Sequence, residues 1–128
     1  MTAPRVLVTG SRDWTDTTTI TAVLRRWAAP GVVLVHGGAR GADRTAAAIW
    51  RAWGLPVEEH RADWDRHGRS AGYVRNAHMV AAGATVCLAF IQDHSRGATH
   101  CADTAETAGI PTHRYRHTTR PTNQRTNR

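Results

Sequence analysis

The stretch that most constrains this chain is Val32 to Thr45, which reads Val-Val-Leu-Val-His-Gly-Gly-Ala-Arg-Gly-Ala-Asp-Arg-Thr. Four apolar residues, three of them β-branched, run directly into a turn with glycines at 37, 38 and 41, and an alanine-rich helical pattern begins at once. The order is therefore strand, tight loop, helix N-terminus. Gly37 and Gly38 tolerate positive φ and let an incoming group touch the backbone, while Gly41 and Ala42 keep bulk out of the first helical turn. Unpaired N–H groups at such a helix start, with the positive end of the helix dipole behind them, suit a phosphate or a carboxylate. Arg40 adds a fork-shaped donor for an anion. A plain βα turn with Arg40 in water uses the same residues, so the rest of the chain has to decide.

A chain of 128 residues with 41% hydrophobic content builds one core. One domain is expected over residues 1–117, followed by a basic, disordered tail over 118–128 that holds no apolar anchor. No run reaches the roughly 18 apolar residues of a membrane span, and the N-terminus enters a strand without a signal-peptide core, so the expected place is the cytoplasm. Cys87 and Cys101 lie in apolar and helical runs and are expected reduced and buried. The net charge of +7 is uneven: residues 1–113 hold 12 arginines against 10 acids, whereas residues 114–128 hold 5 arginines and no acid. Nucleic-acid affinity is therefore expected to be weak and tail-mediated at most.

Along the chain, Arg5 to Thr9 is apolar on both faces, as in a central parallel strand. Thr9-Gly10-Ser11-Arg12-Asp13-Trp14 is a second glycine-containing βα loop, in which Ser11 and Arg12 donate to an anion and Asp13 accepts from a ribose hydroxyl. Asp16 caps a helix whose stripe is Ile20, Val23, Leu24 and Trp27. Ala46, Ala47, Ile49, Trp50 and Trp53 form the buried side of the next helix, and Asp43 in its first turn favours the dipole. Val57 to Arg61 reads as an edge strand and Ala62 to Arg69 as a loop. Ser70 caps a helix running to Gly83, with Arg75 and Asn76 solvent-exposed by default. A strand over Thr85 to Ile91, a loop with Ser95 and Gly97, a helix from Ala98 to Ala108 and a strand over Thr112 to Tyr115 complete the pattern. His60 and His67 lack partners at metal-ligand spacing, so no metal is expected.

Five strands alternating with four linking segments imply a Rossmann-like three-layer α/β sandwich with a five-stranded parallel sheet in the order 3-2-1-4-5. In that order the loops after strands 1, 2 and 4 converge on one crevice, each with an arginine, Arg12, Arg40 or Arg96. An anionic ligand is the better explanation of that convergence.

With Val8-Thr9-Gly10-Ser11-Arg12-Asp13-Trp14, Gly37-Gly38-Ala39-Arg40-Gly41-Ala42-Asp43, Ala71-Gly72-Tyr73-Val74-Arg75-Asn76 and Gly97-Ala98-Thr99-His100 in this order, the chain resembles the YspA-type, YpsA-related branch of the SLOG superfamily. That superfamily groups DNA-processing protein A with the LOG cytokinin-activating enzymes. The resemblance covers about residues 4–115. It implies a domain that binds a nucleotide or nucleotide-derived small molecule, often as a sensor in conflict systems or phage biology, and commonly as a homodimer. By motif position the implied ligand contacts are Gly10, Ser11, Arg12, Gly38, Arg40, Gly41, Asp43, Arg75, Asn76, Gly97 and Thr99. No cofactor is implied. LOG enzymes carry a Pro-Gly-Gly-x-Gly-Thr-x-x-Glu signature, and aligning Thr99 with its threonine puts Ala102 where the glutamate belongs.

The expected function is thus binding, as sensing or sequestration, of a nucleotide-derived ligand. A nucleotide-processing hydrolase, with Asp13 as the one credible catalytic carboxylate, and a single-stranded nucleic-acid binder are the other readings. For association, Trp50 and Trp53 on one helix suggest aromatic surface available to a second copy.

Overall fold

The computed structural model describes residues 3–93 and 95–117. Five parallel strands, β1 (Arg5–Gly10), β2 (Val33–His36), β3 (Val57–Glu59), β4 (Val86–Gln92) and β5 (Thr112–His117), form one sheet in the order β3-β2-β1-β4-β5. The helices are α1 (Thr17–Arg25), α2 (Ala42–Ala52), α3 (Trp64–His67), α4 (Ala71–Ala81) and α5 (Arg96–Thr107), with a 3-10 turn at Gly68–Ser70. The Rossmann-like sandwich and the strand order expected from the sequence are both present.

Strand alternation builds the two cores. Val6 and Val8 of β1, with Val86, Leu88 and Phe90 of β4, face α1 and α2 and meet Ile20, Leu24, Ala46 and Trp50. Leu7, Val35 and Cys87 point the other way, onto Met79 and Val80 of α4 and Cys101 and Ala105 of α5. Both thiols are free and buried, and desolvation pushes Cys101 up to about 11 and Cys87 higher still. Asp16 caps α1 by accepting from the Thr19 N–H at 3.0 Å. Trp14 plugs the top of the first core, edge-on to Phe90 at 5.5 Å.

Residues 62–69 are not the plain loop expected. Asp63 accepts from the Arg66 N–H at 3.1 Å and caps the single turn α3, which is too short to leave any periodicity in the sequence. The chain then turns through the 3-10 segment into α4, so Ser70 does not cap that helix; its hydroxyl donates to the His67 carbonyl. Ser95 instead is the cap of α5, which starts at Arg96 and not at Ala98. The helix α2 offers less aromatic surface than expected: Trp50 is fully buried and donates to the Val32 carbonyl at 3.1 Å, while Trp53 is half-buried under Arg25. The tail over 118–128 lies outside the described residues. Among the described residues no helix is long and apolar enough to cross a membrane.

Candidate functional site

At the C-terminal ends of β1, β2 and β4, where the strand order reverses, a cavity of about 510 Å³ opens. The β1–α1 loop contributes Gly10, Ser11, Arg12 and Asp13; α2 contributes Asp43; α4 contributes Arg75 and Asn76; the start of α5 contributes Gly97 and Ala98. A second cavity of about 570 Å³ adjoins it and takes in Gly38 and Arg40. Of the residues implied by motif position, Gly41 and Thr99 line neither.

Ser11 is a strap across the crevice. Its N–H donates to the Phe90 carbonyl at 2.9 Å, its Oγ accepts from the Gln92 N–H at 2.7 Å, and its carbonyl accepts from the Trp14 and Ala42 N–H groups. The hydroxyl expected to donate to an anion is thus tied to the β4 backbone, and Ser11 is buried. Gly41, with φ of 82°, carries the chain under this strap; a Cβ there would meet the carbonyl oxygens of Ser11 and Arg12.

The central glycine loop also differs from expectation. Asp43 Oδ2 accepts from the Gly37 N–H at 3.0 Å and the Ala39 N–H at 3.4 Å, and His36 Nδ1 accepts from the Gly38 N–H at 3.0 Å. The loop backbone expected to meet an incoming group therefore holds the protein's own carboxyl and imidazole, and at the helix start the Ala42 N–H is taken by the Ser11 carbonyl. Asp43 is 4% exposed and its Oδ1 has no hydrogen-bond partner among the described residues. Burial pushes its carboxyl up to about 7, against the opposing pull of Arg75 and the Gly37 and Ala39 amides. Burial likewise holds His36 below the usual imidazole range, although Glu59 pulls it upward. Gly37 itself has no positive φ; it lacks a side chain because the Arg75 guanidinium occupies the space a Cβ would take.

Arg75 and Asn76, expected in solvent, are half-buried and buried. Arg75 Nη1 donates to the Gly37 carbonyl at 2.5 Å and its Nε to Asn76 Oδ1 at 2.8 Å. Asn76 Nδ2 reaches the Gly97 carbonyl at 3.4 Å and lies 3.2 Å from His100 Nδ1. One pair of adjacent side chains on α4 thus links the β2–α2 loop to the first turn of α5. Arg12 and Asp13 are exposed at the rim. Arg96, the expected arginine of the third loop, is exposed and lines neither cavity.

Two aromatic residues were missed. Trp64 and Tyr73 are 52% and 45% exposed, and both line the main cavity. Tyr73 lies over His100 with ring centroids 4.2 Å apart. The signal was present in the sequence: Trp64 sits between Asp63 and Asp65, outside every apolar stripe, where no core would claim it. The Ala102 position is fully buried against Ala89, Ile91 and Ala98 and lines neither cavity.

Comparison with known proteins bears on the family and the fold. Gene 61 protein of Mycobacterium phage D29 is 50% identical over 117 residues, covering 84% of this chain and 92% of that protein. The X-ray structure of DNA processing protein A from Streptococcus pneumoniae shares the fold, with a TM-score of 0.65 and 16% identity over 88% of this chain, which spans 50% of that longer one. The model of the YspA, cpYpsA-related SLOG family matches residues 4–67. With a family match over the first three strands and a phage relative identical at half its positions, the chain belongs to the YspA, cpYpsA-related SLOG family.

Proposed function

We propose that this protein binds a nucleotide or nucleotide-derived small molecule in the crevice above β1, β2 and β4, as a sensing or sequestering module. The observation that carries the reading is one cavity combining Arg12, Arg75 and the N-terminal turn of α5 with the exposed faces of Trp64 and Tyr73. Guanidinium groups and a helix N-terminus suit phosphate, and aromatic faces suit a base. Asp13 at the rim is placed to accept from a ribose hydroxyl. Because the amides of Gly37, Gly38 and Ala39 are taken internally, side-chain cations and α5 carry the phosphate in this reading. Membership of a SLOG family supports it. The fold shared with DNA processing protein A brings in the second reading, single-stranded nucleic acid, whose footprint here is limited to two exposed aromatics at one cavity.

The test is a thermal-shift panel of nucleoside mono-, di- and triphosphates, cyclic nucleotides and short oligonucleotides. A ligand at about 100 times its Kd stabilises the folded state by about 2.7 kcal/mol, a rise in Tm on the order of 10 °C for a domain of this size. A flat panel argues against the proposal.

A further inference from the structure

The second cavity is lined by five guanidinium groups, Arg12, Arg40, Arg44, Arg61 and Arg75, and by no carboxylate. Three are partly engaged: Arg75 with Gly37 and Asn76, Arg44 through Nε with the Gly38 carbonyl at 3.0 Å, and Arg61 with the Glu59 carboxylate. Arg12 and Arg40 make no side-chain hydrogen bond or ion pair with any described residue. Five like charges around one concavity repel one another, and Glu59 meets only one of them. Such a concavity suits an anion, and the planar forks suit phosphate oxygens. Trp64 belongs to both cavities, as do Arg12, Ala39 and Arg75, and its ring lies above Gly72 at the start of α4. An exposed indole therefore stands at the junction of the arginine-lined space and a first cavity of mixed charge, in which Arg12, Arg69 and Arg75 face Asp13, Asp43 and Asp93.

We infer that the ligand carries phosphate on both sides of a nucleoside. One phosphate lies in the main cavity by Arg12 and the first turn of α5, the nucleoside lies against Trp64, and the second phosphate enters the arginine-lined cavity. This rests on the nucleotide-binding reading above and sharpens its ligand class. A free nucleoside 3′,5′-bisphosphate and an internal nucleotide of a short strand share this chemistry. A nucleoside monophosphate fills only half of the site.

Calorimetry on the full chain at fixed salt, with AMP, adenosine 3′,5′-bisphosphate, the dinucleotide pApA and ATP, and the guanosine set in parallel, tests the inference. The bisphosphate or the dinucleotide should bind at least tenfold tighter than the monophosphate. The double variant Arg44→Gln with Arg61→Gln should remove that excess and leave monophosphate affinity within twofold. Tight bisphosphate with no further gain from the dinucleotide assigns a free ligand; the reverse assigns a strand. Equal affinities for mono- and bisphosphate, or a triphosphate gain as large and as sensitive to the double variant, overturn the two-sided arrangement while leaving nucleotide binding standing. No binding by any probe overturns both.

Discussion

The carboxylate of Asp43 accepts the backbone N–H of Gly37 at 3.0 Å, so the glycine loop that reads as a phosphate cradle is closed from within. The loop is shaped by the protein's own buried carboxyl group, which leaves the ring of arginines and the start of α5 as the groups open to a ligand in the proposed reading. Four predictions follow from this arrangement and its surroundings.

Asp43 should make stability fall as pH rises. In the folded chain it keeps its proton up to about pH 7, whereas in the unfolded chain it loses it near pH 4. Between those values the folded state binds more protons, so unfolding becomes easier with increasing pH and the slope flattens above about 7. Asp43→Asn keeps an acceptor for the Gly37 amide and cannot titrate. Its Tm should fall less than that of the wild type from pH 4 to pH 8; parallel curves would show that Asp43 is charged throughout.

Arg75 should matter for both fold and ligand. Arg75→Ala removes donors to Gly37 and Asn76, and a charged hydrogen bond contributes about 1.5–3 kcal/mol. The variant should melt cooperatively several degrees lower and lose most of the Tm rise that a bound nucleotide gives the wild type. Arg40→Ala, with an exposed side chain, should keep the wild-type apo Tm. Retention of the full ligand shift in Arg75→Ala would place the ligand elsewhere.

Hydrolysis of a nucleoside monophosphate should not occur. A ribosyl–base cleavage needs a carboxylate to stabilise the oxocarbenium-like transition state or activate water. The position of the LOG glutamate is Ala102, inside the core; of the cavity's carboxylates, Asp13, Asp43 and Asp93, Asp43 is buried and tied to the Gly37 and Ala39 amides, and Asp13 stands exposed at the rim. AMP incubated with the protein for hours should give no free adenine or ribose 5-phosphate by chromatography. Turnover abolished by Asp13→Asn but not by a distant surface substitution would make Asp13 catalytic.

Removing Thr118 to Arg128 should change the Tm by no more than about 1 °C, because the segment has one proline, Pro121, and no other apolar side chain to bury. Any weak, salt-sensitive affinity for nucleic acid contributed by the segment should fall in parallel. A large loss of Tm would show that the segment docks on the domain.

The fold was legible because each central strand is apolar on both faces and α2, α4 and α5 each stop within two residues of a glycine, Gly54, Gly83 or Gly109, so element order and sheet order followed from local rules. The crevice followed from the order alone. The direction of the loop amides was not legible, because it depends on Asp43 being buried beneath them, a tertiary fact that a first-turn aspartate does not announce. Arg75 and Asn76 were hidden for a related reason: a buried face through Val74 and Ala77 would leave them in solvent, whereas α4 buries Ala71, Asn76, Met79 and Val80, and α5 and the β2–α2 loop close over Arg75 and Asn76. For Trp50 and Trp53 the sequence shows two large aromatics on one helix but not the Val32 carbonyl and Arg25 that accommodate them.

The Ser11 strap has a kinetic consequence. Ser11 ties the start of the β1–α1 loop to the Phe90 carbonyl and the Gln92 N–H of β4, so a ligand bound as proposed would meet a floor already held by hydrogen bonds. Entry then requires only reorientation of rim side chains such as Arg12, Trp64 and Tyr73, which takes picoseconds to nanoseconds in exposed residues. Association should therefore be governed by diffusion and electrostatic attraction, with a rate that falls as salt rises, and discrimination between ligands should appear in how long each one stays.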